Sequence, residues 1–83
     1  MARKSFKQKA FDKVADEFHW YYYHENKLGK PVTDEDMDKQ WHKAYDTFFA
    51  YNAIGLLDFD DLEDAKRKGQ EIVEWLMSLT KTA

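Results

Sequence analysis

Apolar residues recur at intervals of three and four along almost the whole chain, which is the spacing of one face of an α-helix. Turn-forming residues interrupt this pattern twice, at Gly29 and Pro31 and again between residues 52 and 58. The pattern predicts helices over about residues 5–28, 33–53 and 58–80. We therefore predict an all-α fold, a compact three-helix up-down-up bundle, in which residues 1–83 form one domain and residues 1–4 a flexible basic arm.

Polar residues mark the predicted helix starts. Ser5 and Gln8 have the spacing of a capping box, and Thr33 and Asp58 are good N-cap residues followed by acidic first turns. Gly29 is predicted to end the first helix in a left-handed conformation that favours glycine. The helix boundaries are therefore among the clearest features of this sequence.

Each predicted helix carries one apolar stripe for the core. In the third helix the stripe includes Gly69, which weakens a helix and is expected where another helix or a ring approaches closely. The three predicted stripes are Phe6, Ala10, Phe11, Val14, Phe18, Tyr21 and Tyr22; then Met37, Trp41, Ala44, Tyr45, Phe48 and Tyr51; then Leu62, Ala65, Gly69, Ile72, Leu76 and Leu79.

The aromatic content, 17% of 83 residues, exceeds what these stripes hold. Trp20 and Tyr23 fall opposite the stripe of the first helix, and rings of this type are common anchors in protein interfaces. Phe49 and Trp75 fall at the edges of their stripes, where covering gaps in a small core is the favoured alternative. We take these four rings, Trp20, Tyr23, Phe49 and Trp75, as the candidate partner-binding residues.

Charge is distributed unevenly along the chain. Residues 1–13 have a net charge of +4, residues 33–64 a net charge of −8, and the whole chain −3. The basic residues are expected either to contact nucleic acid or to pair with the acidic helix starts, and an up-down-up topology places the starts of helices one and three together. The candidate basic contacts are Arg3, Lys4, Lys9 and Lys13. The candidate contacts to a basic partner are Asp34, Glu35, Asp38, Asp60, Glu63 and Asp64.

Catalytic and metal-binding patterns are absent from the sequence. The chain has no cysteine, phosphate-binding glycine loop or nucleophile motif, so we predict no enzyme activity and no cofactor. His19, His24 and His42 lack the spacing of a metal site, and Asp58 and Asp60 do not continue into a calcium loop. No segment is apolar enough to cross a membrane, and the lack of cysteine fits a reducing cytoplasm.

The leading functional hypothesis is a small non-enzymatic regulator or inhibitor that binds another protein, or a second copy of itself, through an aromatic and charged surface. Its size and acidity are typical of such proteins, including those carried by phages and mobile elements. The first alternative is a nucleic-acid-binding accessory protein that uses the basic N-terminal helix. The second is an acidic mimic of nucleic acid, although helix capping also explains many of its acids.

Overall fold

The computed structural model describes residues 5–27 and 31–81, with side chains through residue 79. It contains α1 from Phe6–Glu25, α2 from Asp34–Ala53 and α3 from Phe59–Lys81. Helix α1 packs against both other helices, running antiparallel to α2 and parallel to α3. This confirms the predicted three-helix up-down-up bundle. Arg3 and Lys4 of the predicted basic arm, and Gly29, lie outside the described residues.

The predicted N-caps form at α2 and α3. The Thr33 hydroxyl oxygen accepts from the backbone N–H of Asp36 at 3.1 Å. Asp58 and Asp61 cap each other, because each carboxylate accepts from the other residue's backbone N–H at 3.0 Å. That hydrogen bond from the Asp61 N–H holds the pKa of Asp58 below its usual value of 3.8. These caps satisfy backbone donors that no helical carbonyl can reach.

Only half of the predicted capping box forms at α1. The Ser5 hydroxyl accepts from the backbone N–H of Gln8 at 3.1 Å. The Gln8 side chain does not return to Ser5; its amide donates to the Asp12 carboxylate at 2.9 Å. The Gln8 side chain forms a stronger hydrogen bond with the charged Asp12 carboxylate, one turn along the helix, than it would form with the neutral backbone of Ser5.

Helix α1 ends three residues earlier than predicted. The side-chain amide of Asn26 donates to the carbonyl of Tyr22 at 2.8 Å, and Lys27 has a φ of 54°. Lys27 thus takes the left-handed position that was predicted for Gly29. Such a conformation costs a non-glycine residue about 1–2 kcal/mol, and the Lys27 N–H, which donates to the carbonyl of His24 at 2.9 Å, offsets part of that cost.

Large rings fill the space between α1 and α2. Phe18 is fully buried and meets Trp41 and Tyr45 edge-on, with ring centroids 5.9 Å and 5.4 Å apart. Phe48 is equally buried further along α2. Edge-to-face contacts of this kind contribute beyond simple burial, so this layer anchors α2 to α1.

Small residues let α3 approach α1 more closely than rings would. A Cβ atom built on Gly69 would lie 2.7 Å from the backbone nitrogen of His19 and 3.0 Å from the carbonyl carbon of Phe18. Ala65, one turn before Gly69, is also fully buried. The prediction that Gly69 marks a close approach is therefore confirmed, and the approaching group is the α1 backbone.

Helices α2 and α3 approach each other less closely than either approaches α1. Lys66 bridges them, with its ammonium nitrogen 5.6 Å from the Trp41 ring centre and 5.7 Å from that of Tyr45. The neighbouring Tyr45 hydroxyl raises the pKa of Lys66. A cation between rings thus joins these helices where apolar packing is thin.

Two predicted core positions, Leu79 and Phe6, are wrong, because both are exposed. Leu79 is 52% exposed, whereas Val73, which was not predicted to be in the core, is 1% exposed. The buried line advances by four residues from Ala65 to Gly69 to Val73, because a straight helix of 3.6 residues per turn drifts away from a 3.5-residue seam. Phe6 is 79% exposed for the same reason, since repeated steps carry the first turn of α1 out of the core.

Candidate interaction surface

Trp20 and Tyr23 lie on the side of α1 that faces away from the core, and His19 and His24 flank them towards α3 and α2. We name His19, Trp20, Tyr23 and His24 the aromatic face. The Trp20 ring centre lies 5.1 Å from His19, 5.6 Å from Tyr23 and 6.3 Å from His24. Trp20 is 44% exposed, and the three rings that it meets are all on its own helix. The four rings thus form one connected cluster, in which Trp20 is exposed and the other three are half-buried.

Trp75 lies on the same side of the molecule as Tyr23. The ion pair between Asp12 and Lys68, 3.7 Å apart, identifies where this side of α1 meets α3. Tyr23 follows Asp12 by eleven residues and Trp75 follows Lys68 by seven, and each interval returns to within about 20° of the same helix face. Since α1 and α3 are parallel, both rings lie towards the same end of the bundle.

The α3 residues on this side are well exposed. Trp75 is 60% exposed and Leu79 is 52% exposed. Leu79 follows Lys68 by eleven residues, so it falls within about 20° of the same face of α3 as Lys68 and Trp75. Leu79 was assigned to the core from its spacing. Its exposure extends the apolar surface from α1 onto α3.

Phe49 belongs to a different surface. It is 49% exposed on α2, and its ring centre lies 5.4 Å from Phe48 and 6.2 Å from Tyr45. Tyr45 contacts Lys66, so Phe49 borders the space between α2 and α3. Phe59, 61% exposed, also packs against Phe48 there. The structure therefore brings Trp20 and Tyr23 into contact, with Trp75 on the same side of the bundle, whereas Phe49 lies on another side.

The described basic residues near the N-terminus already have neighbours within the chain. The Lys7 ammonium lies 3.6 Å from the Asp61 carboxylate, which joins the starts of α1 and α3 as the topology predicted. Lys13 lies 3.2 Å from Glu17, and Lys9 stands over the Phe6 ring at 5.8 Å. Within the single chain, Lys7 and Lys13 therefore pair with acidic residues of the fold.

Glu17 is the buried carboxylate that sequence patterning missed. It is 3% exposed, and its side chain lies 3.2 Å from the ammonium of Lys13 and 3.6 Å from that of Lys43. The Gln40 amide donates to the same carboxylate at 3.1 Å. Lys13, one turn earlier, was a signal in the sequence that Glu17 could form an ion pair. The burial of Glu17 could not be predicted, because its α2 partners, Lys43 and Gln40, are distant in sequence.

The acidic candidates divide into two groups. Those that begin α2 and those that begin α3 lie at opposite ends of the bundle, because α2 runs antiparallel to α3. Several have local partners: Glu35 with Lys39, Asp38 with His42, Glu63 with Lys66, and Asp64 with Arg67. The acids therefore do not form the continuous row that a nucleic-acid mimic would present.

Asp34 and Asp38 also line a cleft with Tyr21, Met37 and Trp41, of about 270 Å³. Burial raises the pKa of Tyr21, whose ring packs 4.8 Å from that of Trp41. This cleft lies between Tyr21 of α1 and the first two turns of α2. Asp60, at the start of α3, does not line it.

The histidines show no arrangement for metal binding. Within residues 5–27 and 31–81, no three His, Asp or Glu side chains converge closely enough to hold a metal ion. His19 and His24 belong to the aromatic face, while His42 lies 3.5 Å from Asp38 on α2. The Nε2 atom of His19 is buried and has no hydrogen-bond partner in the described part of the chain.

None of the described helices combines the length and the apolar character needed to cross a bilayer. Comparison with known proteins found no matching family model, no similar curated protein and no similar solved structure. Functional inference therefore depends on the surface of the protein itself.

Proposed function

We propose that this chain is a non-enzymatic helical interaction module, a small regulator or inhibitor that binds a partner protein through the aromatic face and Trp75. The cytoplasm is the proposed compartment, since a chain without cysteine suits a reducing environment. The partner would cover the exposed Trp and Tyr side chains, because such rings contribute most to binding when a partner removes them from water.

The exposure of Trp20 supports this proposal most directly. Its ring is held by His19, Tyr23 and His24, which fixes its position without burying it. A side chain that is ordered before binding loses less conformational entropy when a partner covers it. Trp75 and Leu79 enlarge the apolar area on the same side. Contiguous exposed apolar area of this kind is typical of interaction sites.

The state of Glu17 supports a non-enzymatic role. It is the buried carboxylate of the described residues, and buried carboxylates are common acids and bases in catalysis. Here Lys13, Lys43 and Gln40 occupy its oxygens. A carboxylate with these partners serves to fasten α2 to α1.

The proposal can be tested by comparing two ring variants as bait in lysate of the host cell. Trp20→Ala removes the centre of the aromatic face, whereas Phe49→Ala removes a similarly exposed ring from the other surface. We expect a partner to be retained by the wild type and by Phe49→Ala and to be lost from Trp20→Ala. Equal retention by all three proteins would contradict the proposal. Circular dichroism melting controls for unfolding of either variant.

A further inference from the structure

A row of six residues follows the outward side of α1 at the spacing of a coiled-coil seam. The intervals between them alternate three and four, and none of the six is fully buried. Residues with this spacing stay on one face of a helix and can meet a second helix side by side. The row is Phe6, Lys9, Lys13, Asp16, Trp20 and Tyr23.

We propose that a second copy of this chain binds this row, with the two α1 helices antiparallel. The inference rests on the proposed function, because Trp20 and Tyr23 are its outer contacts. It adds the partner's identity and the alignment of the two helices. The pairing places Lys13 against Asp16 of the second copy, and the two-fold axis generates the same contact again.

Charge complementarity selects this alignment. A parallel pair would place Lys13 against Lys13 and Asp16 against Asp16, which are repulsive contacts. Shifting the antiparallel pair by one heptad within α1 would place Lys9 against Lys13 of the second copy. Only the proposed alignment gives every charge in the row an attractive neighbour.

The central residues are available for such pairing. In the part of the chain that the structure describes, the Asp16 carboxylate has no ion pair and no hydrogen bond. Lys13 shares Glu17 with Lys43 and Gln40, so Glu17 keeps partners when Lys13 turns away. The Lys13 side chain is 54% exposed and can reach outward.

The outer layers use the exposed rings. Lys9 would stand against Trp20 of the second copy, a cation–π contact. Phe6 would pack against Tyr23 of the second copy, on the side that also presents Trp75 and Leu79. This contact would cover Phe6, which is 79% exposed in the single chain.

A contact made by one row per copy is small. Stable interfaces bury about 800 Å² per partner, and six residues on one helix cover less than that. The dimer is therefore expected to dissociate on dilution. A reversible dimer also leaves the aromatic face free to exchange its second copy for another partner.

Sedimentation velocity of the full chain over a range of concentrations tests the proposal. The wild type should show reversible dimers. Lys13→Glu and Asp16→Lys should each raise the dimer dissociation constant by about tenfold or more, since each turns two attractive contacts into repulsive ones. An equimolar mixture of the two variants should dimerise again, because Glu at position 13 then meets Lys at position 16. Asp46→Lys makes the same change of charge on the outside of α2 and should have no effect.

The dimer would be overturned by a wild type that stays monomeric up to about 1 mM. It would also be overturned if Asp46→Lys weakened dimerisation as much as Asp16→Lys does. The third contradictory result is an equimolar mixture of Lys13→Glu and Asp16→Lys that stays monomeric while both variants are folded. A monomeric wild type would leave the proposed function standing, provided that Trp20→Ala still loses a different partner. If Trp20→Ala changed neither dimerisation nor capture, both proposals would fail.

Discussion

Replacing Gly69 by alanine should destabilise the bundle, although alanine is the better helix former. The new Cβ would lie 2.7 Å from the backbone nitrogen of His19, closer than such atoms normally come. Alanine gains about 1 kcal/mol in helix propensity at an unobstructed position. Overpacking costs about 1–3 kcal/mol and more where the obstructing atoms belong to backbone. Because a helix backbone cannot rotate aside as a side chain can, we expect the overpacking cost to exceed the gain.

Thermal unfolding followed by circular dichroism measures this balance. A net loss of 1 kcal/mol should lower the melting temperature by about 4–8 °C for a domain of this size. Gly69→Leu should lower it further, since its longer side chain must also enter the gap between α1 and α3. Gln70→Ala, on the exposed neighbouring position, is the control and should change stability little. A melting temperature that rises or stays unchanged in Gly69→Ala would refute the close approach of α3 to α1.

Three further predictions concern single side chains. In urea titrations, Trp20→Ala should lower the free energy of unfolding by at most about 1 kcal/mol, whereas Phe18→Ala should lower it by about 3–5 kcal/mol. Equal losses in the two variants would mean that Trp20 belongs to the core. Glu17→Gln should cost about 1 kcal/mol and Glu35→Gln almost nothing, because only Glu17 holds two lysines from a buried position. The lowered pKa of Asp58 stabilises the fold fully above pH 3.8, its unfolded value, and that contribution disappears as the pH falls through the lower folded pKa. In Asp58→Asn, the free energy of unfolding should therefore depend less steeply on pH below about pH 4 than in the wild type. An unchanged pH dependence there would contradict the role of the Asp58 carboxylate as a helix cap.

Local chemistry made the helix starts predictable. Thr33 and Asp58 satisfy backbone donors within three residues of themselves, so their roles can be read without knowing the fold. The close contact at Gly69 was predictable for a related reason: a glycine in an apolar stripe needs a packing partner to offset its cost. The identity of that partner, the backbone at His19, depended on the tertiary arrangement.

Tertiary contacts determined several features that the hydrophobic pattern of the sequence could not predict. Glu17 looks like a surface residue in the sequence, and only the packing of α2 places Lys43 and Gln40 around it. Leu79 is exposed because the residues of a straight helix rotate gradually away from a seam of 3.5-residue spacing. This rotation becomes large only several turns away from Gly69. Trp75 lies on the same side of the bundle as Tyr23 because α3 runs parallel to α1. Phe49 is equally apolar, but it lies on α2 and faces another side of the bundle.

Hydroxyl-radical footprinting of the protein inside its host cell tests most directly whether the aromatic face is covered by a partner. The purified protein at high dilution supplies the reference, and the reactivity of each ring is compared between the two conditions. We predict that Trp20, Tyr23 and Trp75 become protected in the cell while Phe49 reacts equally in both. Equal reactivity of Trp20 in the cell and in dilute solution would contradict the account.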